Sequence, residues 1–330
     1  MNAQMILCIT HSGDFYTIDI VQRHLEVLGY PSFRLNVDTF AADCKINYKF
    51  IAGDLYNYCI SEGGFSIDTE QIRAVWYRKL WNFKVPDELS PDFRSIFMQE
   101  YKTVLQLFFN RLEQIPWMNN MQIDHAVGGD KMMQLYVANQ FGLQVPKTIV
   151  SNDPDTIRIF YESCAGGEMV MKLHGALSKS MTGDTLFLPT IKLGAADLTD
   201  LKTISYCPMI FQEYVRKSYE LRIVYIDGVF FTGKIVYQGE KTDWRIGAGD
   251  SHRWESYILP VEIKQKLERM MKHLGLHFGA IDMIRHTSGA YVFLEVNPQG
   301  EWGMLQRELK YPIGETIAEK LIESIRKYGK

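Results

Sequence analysis

Short apolar runs alternate with amphipathic stretches from the first residues onward. Met5-Ile-Leu-Cys-Ile-Thr10 is continuous enough to form a buried strand. After His11-Ser-Gly-Asp14, the residues Ile18, Val21, Leu25 and Leu28 recur on one helical face, and Gly29 supplies a stop. Ser32–Asn36 reads as a second strand and completes a βαβ opening. Ala74–Arg78 is a further strand. Ser90-Pro91 predicts a helix start, and that helix is expected to bury Phe93, Phe97, Val104, Leu105 and Phe108. Pro116 and the pair Asn119-Asn120 interrupt the pattern, which places a domain boundary near residue 115.

Beyond that break, a helix is expected from near Lys131, with Leu135 and Ala138 on its apolar face. Val145–Val150 reads as a strand, Asn152-Asp-Pro154 as a helix cap, and Met169–Leu173 as a strand. His174–Leu193 reads as a hairpin or loop turning at Thr182-Gly-Asp184. From Pro208 the texture changes to consecutive strands, Ile210–Tyr214, Glu220–Tyr225 and Val229–Tyr237, with Asp227-Gly228 as a hairpin turn. A helix over Val261–Leu274 stops at Gly275. Strands Phe278–Arg285 and Tyr291–Asn297 follow, and a helix over Ile313–Arg326 closes the chain. The pattern predicts an α+β protein in three parts, 1–115, 116–207 and 208–330.

Composition narrows the function classes. Of 330 residues, 36 are Lys or Arg and 39 are Asp or Glu, giving a net charge of −3. That balance argues against a general nucleic-acid binder and against a polybasic membrane protein. No run approaches the ~18 apolar residues of a membrane helix. The five cysteines are scattered without a CxxC pair, as expected for reduced thiols in a cytoplasmic enzyme. The first strand–helix turn contains only Gly13, which speaks against a dinucleotide fingerprint.

The most informative chemistry is Gly279-Ala-Ile-Asp282 with Phe293-Leu-Glu295-Val-Asn297-Pro298. Glu295 and Asn297 are two apart on a strand and share a face. If Ser288-Gly289 is a two-residue turn, Asp282 lies opposite Glu295. Two carboxylates and an amide oxygen then converge, a donor set suited to Mg²⁺. The alternative is a solvated polar face. Facing carboxylates within such apolar strands repel unless a cation compensates them, which favours the metal. Lys172 in an apolar strand, and Lys131 in the first turn of a helix, are candidate phosphate contacts; for Lys172 the alternative is exposure at a strand edge. The connector from Gln212-Glu-Tyr-Val215 to Glu220-Leu-Arg222 offers backbone groups to an adenine edge, with Glu220 toward a ribose.

Taken in order, Lys131, Lys172, Gln212–Val215, Glu220–Arg222, Asp243-Trp-Arg245, Asp282 and Glu295-Val-Asn297 resemble the ATP-grasp ligase pattern. More narrowly, Ala74–Arg78, Thr242–Arg245, Gly279–Ile284 and Phe293–Pro298 with Gly300-Glu301 resemble the graspetide (microviridin-type) peptide macrocyclases. The resemblance implies an ATP-grasp fold with an N-terminal domain preceding it. It also implies an ATP- and Mg²⁺-dependent enzyme that activates an Asp or Glu carboxylate of a precursor peptide as an acyl phosphate. A Thr or Ser hydroxyl, or a Lys amine, then captures that carboxylate. By the same resemblance Lys131 and Lys172 contact phosphates, Glu213 and the Val215 backbone hold adenine, and Glu220 holds ribose. Asp282, Glu295 and Asn297 bind Mg²⁺, Arg222 and Arg245 serve the transferred phosphate, and Arg78 orients a substrate carboxylate. A homodimer is also implied. Ser178–Lys192 is either a docking surface for the leader peptide or a lid over ATP. Two other readings remain at this point: a ligase for free amino acids or a protein tail, and a nucleotide-binding regulator without turnover.

Overall fold

In the computed structural model, the described residues are 4–48, 58–62, 65–79, 84–174, 190–199, 201–237 and 252–328. They divide into two compact units. The first comprises Met1–Asp124, Gly275–Phe278 and Glu301–Lys330; the second comprises His125–Leu274 and Gly279–Gly300.

The first unit is built on the βαβ opening. β1 (Met5–Thr10) is buried at all six positions and pairs in parallel with β2 (Ser32–Asn36) on one side and β6 (Ile72–Tyr77) on the other. β7 (Trp117–Met118) extends the sheet to the order β2-β1-β6-β7. α1 (Tyr16–Val27) buries Ile18, Val21 and Leu25 as its spacing predicts, whereas Leu28 falls at the C-cap and is exposed. After α2 (Phe40–Asp43), an antiparallel sheet that the sequence reading lacks is formed by β3 (Cys44–Tyr48), β4 (Tyr58–Glu62) and β5 (Phe65–Asp68). α3 (Arg94–Asn110) begins one turn later than Ser90-Pro91 suggests. Its inner face is Leu105, Phe108 and Phe109, whereas Phe93 is 57% exposed and Phe97 and Val104 are half-buried. Pro91–Phe93 is a separate tight turn, so the face predicted by counting from Pro91 is displaced.

Residues 301–330, read from sequence as belonging to the last part, pack in the first unit. α8 (Gly303–Leu309) and α9 (Ile313–Tyr328) close it. The reason is a close approach of α9 to α1: a Cβ on Gly314 would sit 2.5 Å from the Ile20 side chain and 3.1 Å from Trp302. Gly275–Phe278 joins the same unit through Asn119. Its Oδ1 accepts from the N–H groups of His277 and Phe278, and its Nδ2 donates to Phe278 O, each at 2.9 Å.

α4 (Met121–Gly129) leads into the second unit, and α5 (Lys131–Gln140) is capped by Asp130, which accepts from Met133 N. One sheet has the order β10-β9-β11-β8, from β8 (Thr148–Ser151), β9 (Met169–Lys172), β10 (Ile191–Leu193) and β11 (Met209–Glu213). α6 (Pro154–Ser163), capped by Asp153 as predicted, packs Ile157 and Phe160 into the core beneath this sheet. The other sheet has the order β14-β13-β12-β15-β16. It is formed by β12 (Lys217–Ile226), β13 (Val229–Tyr237), β14 (His252–Ser256), β15 (Phe278–His286) and β16 (Tyr291–Asn297), with α7 (Val261–His273) alongside in the chain. Asp227 (φ 42°) and Gly228 (φ 91°) form the predicted two-residue turn between β12 and β13.

Candidate nucleotide and metal site

The site is built on one face of the second sheet. Asp282 on β15 pairs directly with Glu295 on β16, and Ala280 pairs with Asn297, so the two acids and the amide share that face. The expected pairing is present, but the turn that produces it differs. Thr287-Ser288-Gly289 forms a three-residue loop, in which Gly289 N donates to His286 O and His286 N to Ala290 O, each at 2.8 Å. Continued unbroken from Arg285↔Tyr291, that register would put Asp282 opposite Leu294. A bulge between Phe293 and Glu295 leaves Leu294 as the extra residue and brings Glu295 across from Asp282.

Each acid already has a protein cation. Arg222 Nη1 donates to both carboxylate oxygens of Asp282 at 2.9 Å, and Lys131 Nζ donates to Glu295 Oε2 at 2.7 Å. The repulsion between the facing carboxylates is therefore relieved by the chain's own cations, without a metal. What still fits Mg²⁺ is the donor set: two carboxylates and the Asn297 side-chain oxygen, which here accepts from Gln299 N at 2.9 Å. Gly300 makes room for this arrangement. A Cβ there would lie 2.2 Å from Ala280 Cβ and 3.0 Å from Arg222 Nη2.

Gln134, which the sequence reading missed, anchors the acidic strand. It is 1% exposed, one turn beyond Lys131 on α5. Its Nε2 donates to Val127 O (2.7 Å) and Val296 O (3.0 Å), while its Oε1 accepts from Val296 N (2.9 Å). β16 is an edge strand, so Gln134 satisfies the outward backbone groups of the residue between Glu295 and Asn297.

On the neighbouring sheet, Lys172 lies on β9, an interior strand, which removes the strand-edge alternative. Its Nζ donates to Gln212 Oε1 at 2.7 Å, and Gln212 Nε2 donates to Thr148 Oγ1. Residues 214–216 connect the two sheets, between β11 and β12, as the hinge reading expects. Val215 sits in that connector, half-buried. Glu213 turns its carboxylate back to accept from Ala165 N at 3.2 Å. Glu220, on the face of Arg222, is paired with Lys217, a second cation the sequence reading did not single out. Glu168 accepts from Lys192 (2.7 Å) and Arg216 (3.0 Å), which hold its carboxyl below the usual range. Arg245, with Asp243 and Trp244, lies outside the described residues, as do the Thr182–Asp184 turn and most of Ser178–Lys192.

Arg78 belongs to the first unit and is 2% exposed. Its Nη2 donates to Glu301 Oε2 at 2.8 Å, its Nε lies 3.8 Å from Asp14, and Lys79 also pairs with Glu301. The guanidinium expected to meet a substrate carboxylate is thus engaged by internal ones. Burial alone would raise the Glu301 carboxyl, but Arg78 and Lys79 outweigh it and bring it down to about 2.

Two sheets joined by a connector, with paired acids and an asparagine on one and a half-buried lysine on the other, define the class of ATP-grasp ligases. A family profile described as the MvdD pre-ATP grasp domain matches residues 5–125. Macrocyclase MdnB from Microcystis aeruginosa is 35% identical, over 97% of this chain and 99% of its own, with a TM-score of 0.81. Macrocyclase MdnC from the same organism, solved bound with the precursor peptide MdnA, is 30% identical over 97% and 100%, with a TM-score of 0.86. A RiPP-associated ATP-grasp ligase from Chryseobacterium gregarium, solved with ADP and a leader and core peptide, is 27% identical over 97% of both chains, with a TM-score of 0.86. The chain belongs to this macrocyclase family of ATP-grasp ligases. A probable alpha-L-glutamate ligase from Teredinibacter turnerae is 23% identical over 201 residues, which span 60% of this chain and 63% of that relative.

Proposed function

We propose that the protein uses ATP and Mg²⁺ to join Asp or Glu side chains of a ribosomally made precursor peptide to Thr or Ser hydroxyls, or to Lys amines. The observation that carries this reading is the shared face of Asp282, Glu295, Asn297, Arg222 and Glu220, with Lys131 reaching it from α5. Asp282, Glu295 and Asn297 are assigned to the metal, which when bound would neutralise phosphate charge. Lys131 and Lys172 are assigned to phosphates, Glu213 and the Val215 backbone to adenine, and Glu220 to ribose. Arg222 and Arg245 are assigned to the transferred phosphate, and Arg78 to a substrate carboxylate. Similarity to MdnC and to the Chryseobacterium ligase, both solved with peptides, supports a peptide substrate. In each ring closure the carboxylate and the hydroxyl or amine together lose one water, while ATP becomes ADP and phosphate. The division 1–115, 116–207 and 208–330 is assigned to the preceding domain and two ATP-grasp subdomains, with residues 301–330 returning to pack with the preceding domain. A cytoplasmic location accords with this substrate. No helix among the described residues is long and apolar enough to cross a membrane.

The test is incubation with ATP, Mg²⁺ and the peptide encoded beside this gene, followed by mass spectrometry. Successive losses of one water mass are expected, and Glu295→Gln should slow them about 10²–10³-fold while peptide binding persists. The glutamate-ligase relative favours one competing reading, a free amino acid as acceptor. ADP release on free glutamate with unchanged peptide mass would establish that reading and refute ours.

A further inference from the structure

The parallel sheet of the first unit reverses its strand order at β1. α1 carries the chain to β2 on one side, and β6 lies on the other. Open parallel sheets bind ligands outside the carboxyl ends of the strands at such a reversal. Here that place is occupied by charge. The backbone N–H groups of Arg78 and Lys79 both donate to Ile9 O (3.0 and 3.3 Å), which fixes where the two side chains begin. The side chains are 2% and 12% exposed, and both end on the carboxylate of Glu301, which is 28% exposed. The other acid, Asp14, is held by Thr10 Oγ1 (2.7 Å) and Thr17 Oγ1 (2.6 Å) from its own strand and helix. The sheet thus supplies two buried cations and one fixed acid. The second acid arrives from the segment that follows Gly300 and is the most open member of the cluster.

We propose that Arg78 and Lys79 form a carboxylate-binding site in which Glu301 is the resident occupant, displaced by an acidic side chain of the precursor peptide. The peptide as the source of that carboxylate rests on the function proposed above; the carboxylate chemistry rests on the cluster alone. A guanidinium and an adjacent ammonium match the two oxygens of a carboxylate. Vacating the site would leave a buried positive charge uncompensated, so exchange of one carboxylate for another is the inexpensive route. A resident competitor lowers apparent affinity by the fraction of time it occupies the site. Removing it should therefore tighten binding, which is the opposite of what a purely structural ion pair predicts.

The test uses the full chain without nucleotide. Binding of N-acetyl-glutamate α-amide and of its neutral glutamine counterpart is measured by calorimetry for wild type and Glu301→Gln. The acid is expected to bind Glu301→Gln at least about tenfold more tightly than wild type, the neutral amide not at all, and the gain should vanish on adding Lys79→Met. Equal or weaker binding to Glu301→Gln, or a gain that survives Lys79→Met, overturns the proposal. Should Glu301→Gln not fold alone, refolding is compared with either amide present. Recovery with the acid only supports the site, and recovery with neither overturns it. Ring formation is scored separately, so its absence alongside intact carboxylate binding would refute the proposed reaction and leave this site standing.

Discussion

Replacing Gln134 by Leu tests whether the acidic strand is held from α5. The substitution preserves much of the volume and removes every polar atom of the side chain. It deletes three hydrogen bonds and leaves Val127 O, Val296 O and Val296 N without their side-chain partner in a buried setting. An orphaned buried backbone group costs about 1–3 kcal/mol, and partial relaxation at an edge strand recovers some of that, so a net loss of about 3 kcal/mol is expected. For a unit of this size that corresponds to a fall of about 6–12 °C in melting temperature. Val296 lies between Glu295 and Asn297, so its amide should also exchange faster with solvent than in wild type. Thermal unfolding and residue-resolved hydrogen exchange read the two effects. A loss under about 1 kcal/mol, with the Val296 amide as protected as before, would refute the anchoring role.

Gly300→Ala forces a methyl to 2.2 Å from Ala280 Cβ and should destabilise by about 1–3 kcal/mol; adding Ala280→Gly should recover most of it in thermal melts. Glu301 titrates near 2 when folded against 4.5 when free, so its contribution is complete above about 4.5 and is lost as pH falls toward 2. Unfolding measured across that window should show a shallower acid loss in Glu301→Gln than in wild type. Because Arg222 and Lys131 already neutralise Asp282 and Glu295, Mg²⁺ alone has to displace internal cations. Calorimetry is expected to find it binding about tenfold more tightly with nucleotide present, and equal affinities would contradict the assignment.

Much of the scaffold was legible because its signals are local. β1, β2, β13 and β16 have the bounds read from the chain, and Asp227-Gly228 is the turn its residue types require. The β3–β5 sheet escaped because its strands are short, although Cys44, Ile46 and Tyr48 do alternate. The Asp282–Glu295 pairing was reached through a turn one residue too short, and the bulge at Leu294, invisible to pattern reading, makes up the difference. Lys131 and Arg222 were found, but their partners were not, since a salt bridge between residues 131 and 295 is set by packing. Gln134 reads in isolation as a surface amide. Its position beside Leu135 and Ala138, on the buried side of α5, was the available signal.

The same charge device recurs in both units. Buried and half-buried basic side chains are matched by carboxylates: Arg222 and Lys131 by Asp282 and Glu295, Arg78 and Lys79 by Glu301 together with Asp14. All four of those acids fall outside the helices, and two of them, Glu295 and Glu301, lie in one seven-residue segment that also holds Asn297 and Gly300. Removing either glutamate takes the nearest carboxylate from a buried or half-buried cation, in a different unit in each case, which costs more than losing a surface pair. The near balance of 36 basic and 39 acidic residues therefore conceals local pairing of buried charge. It follows that conservative changes within Glu295–Glu301 must be judged twice, once for the donor face of the second sheet and once for the cation pair at the end of β6.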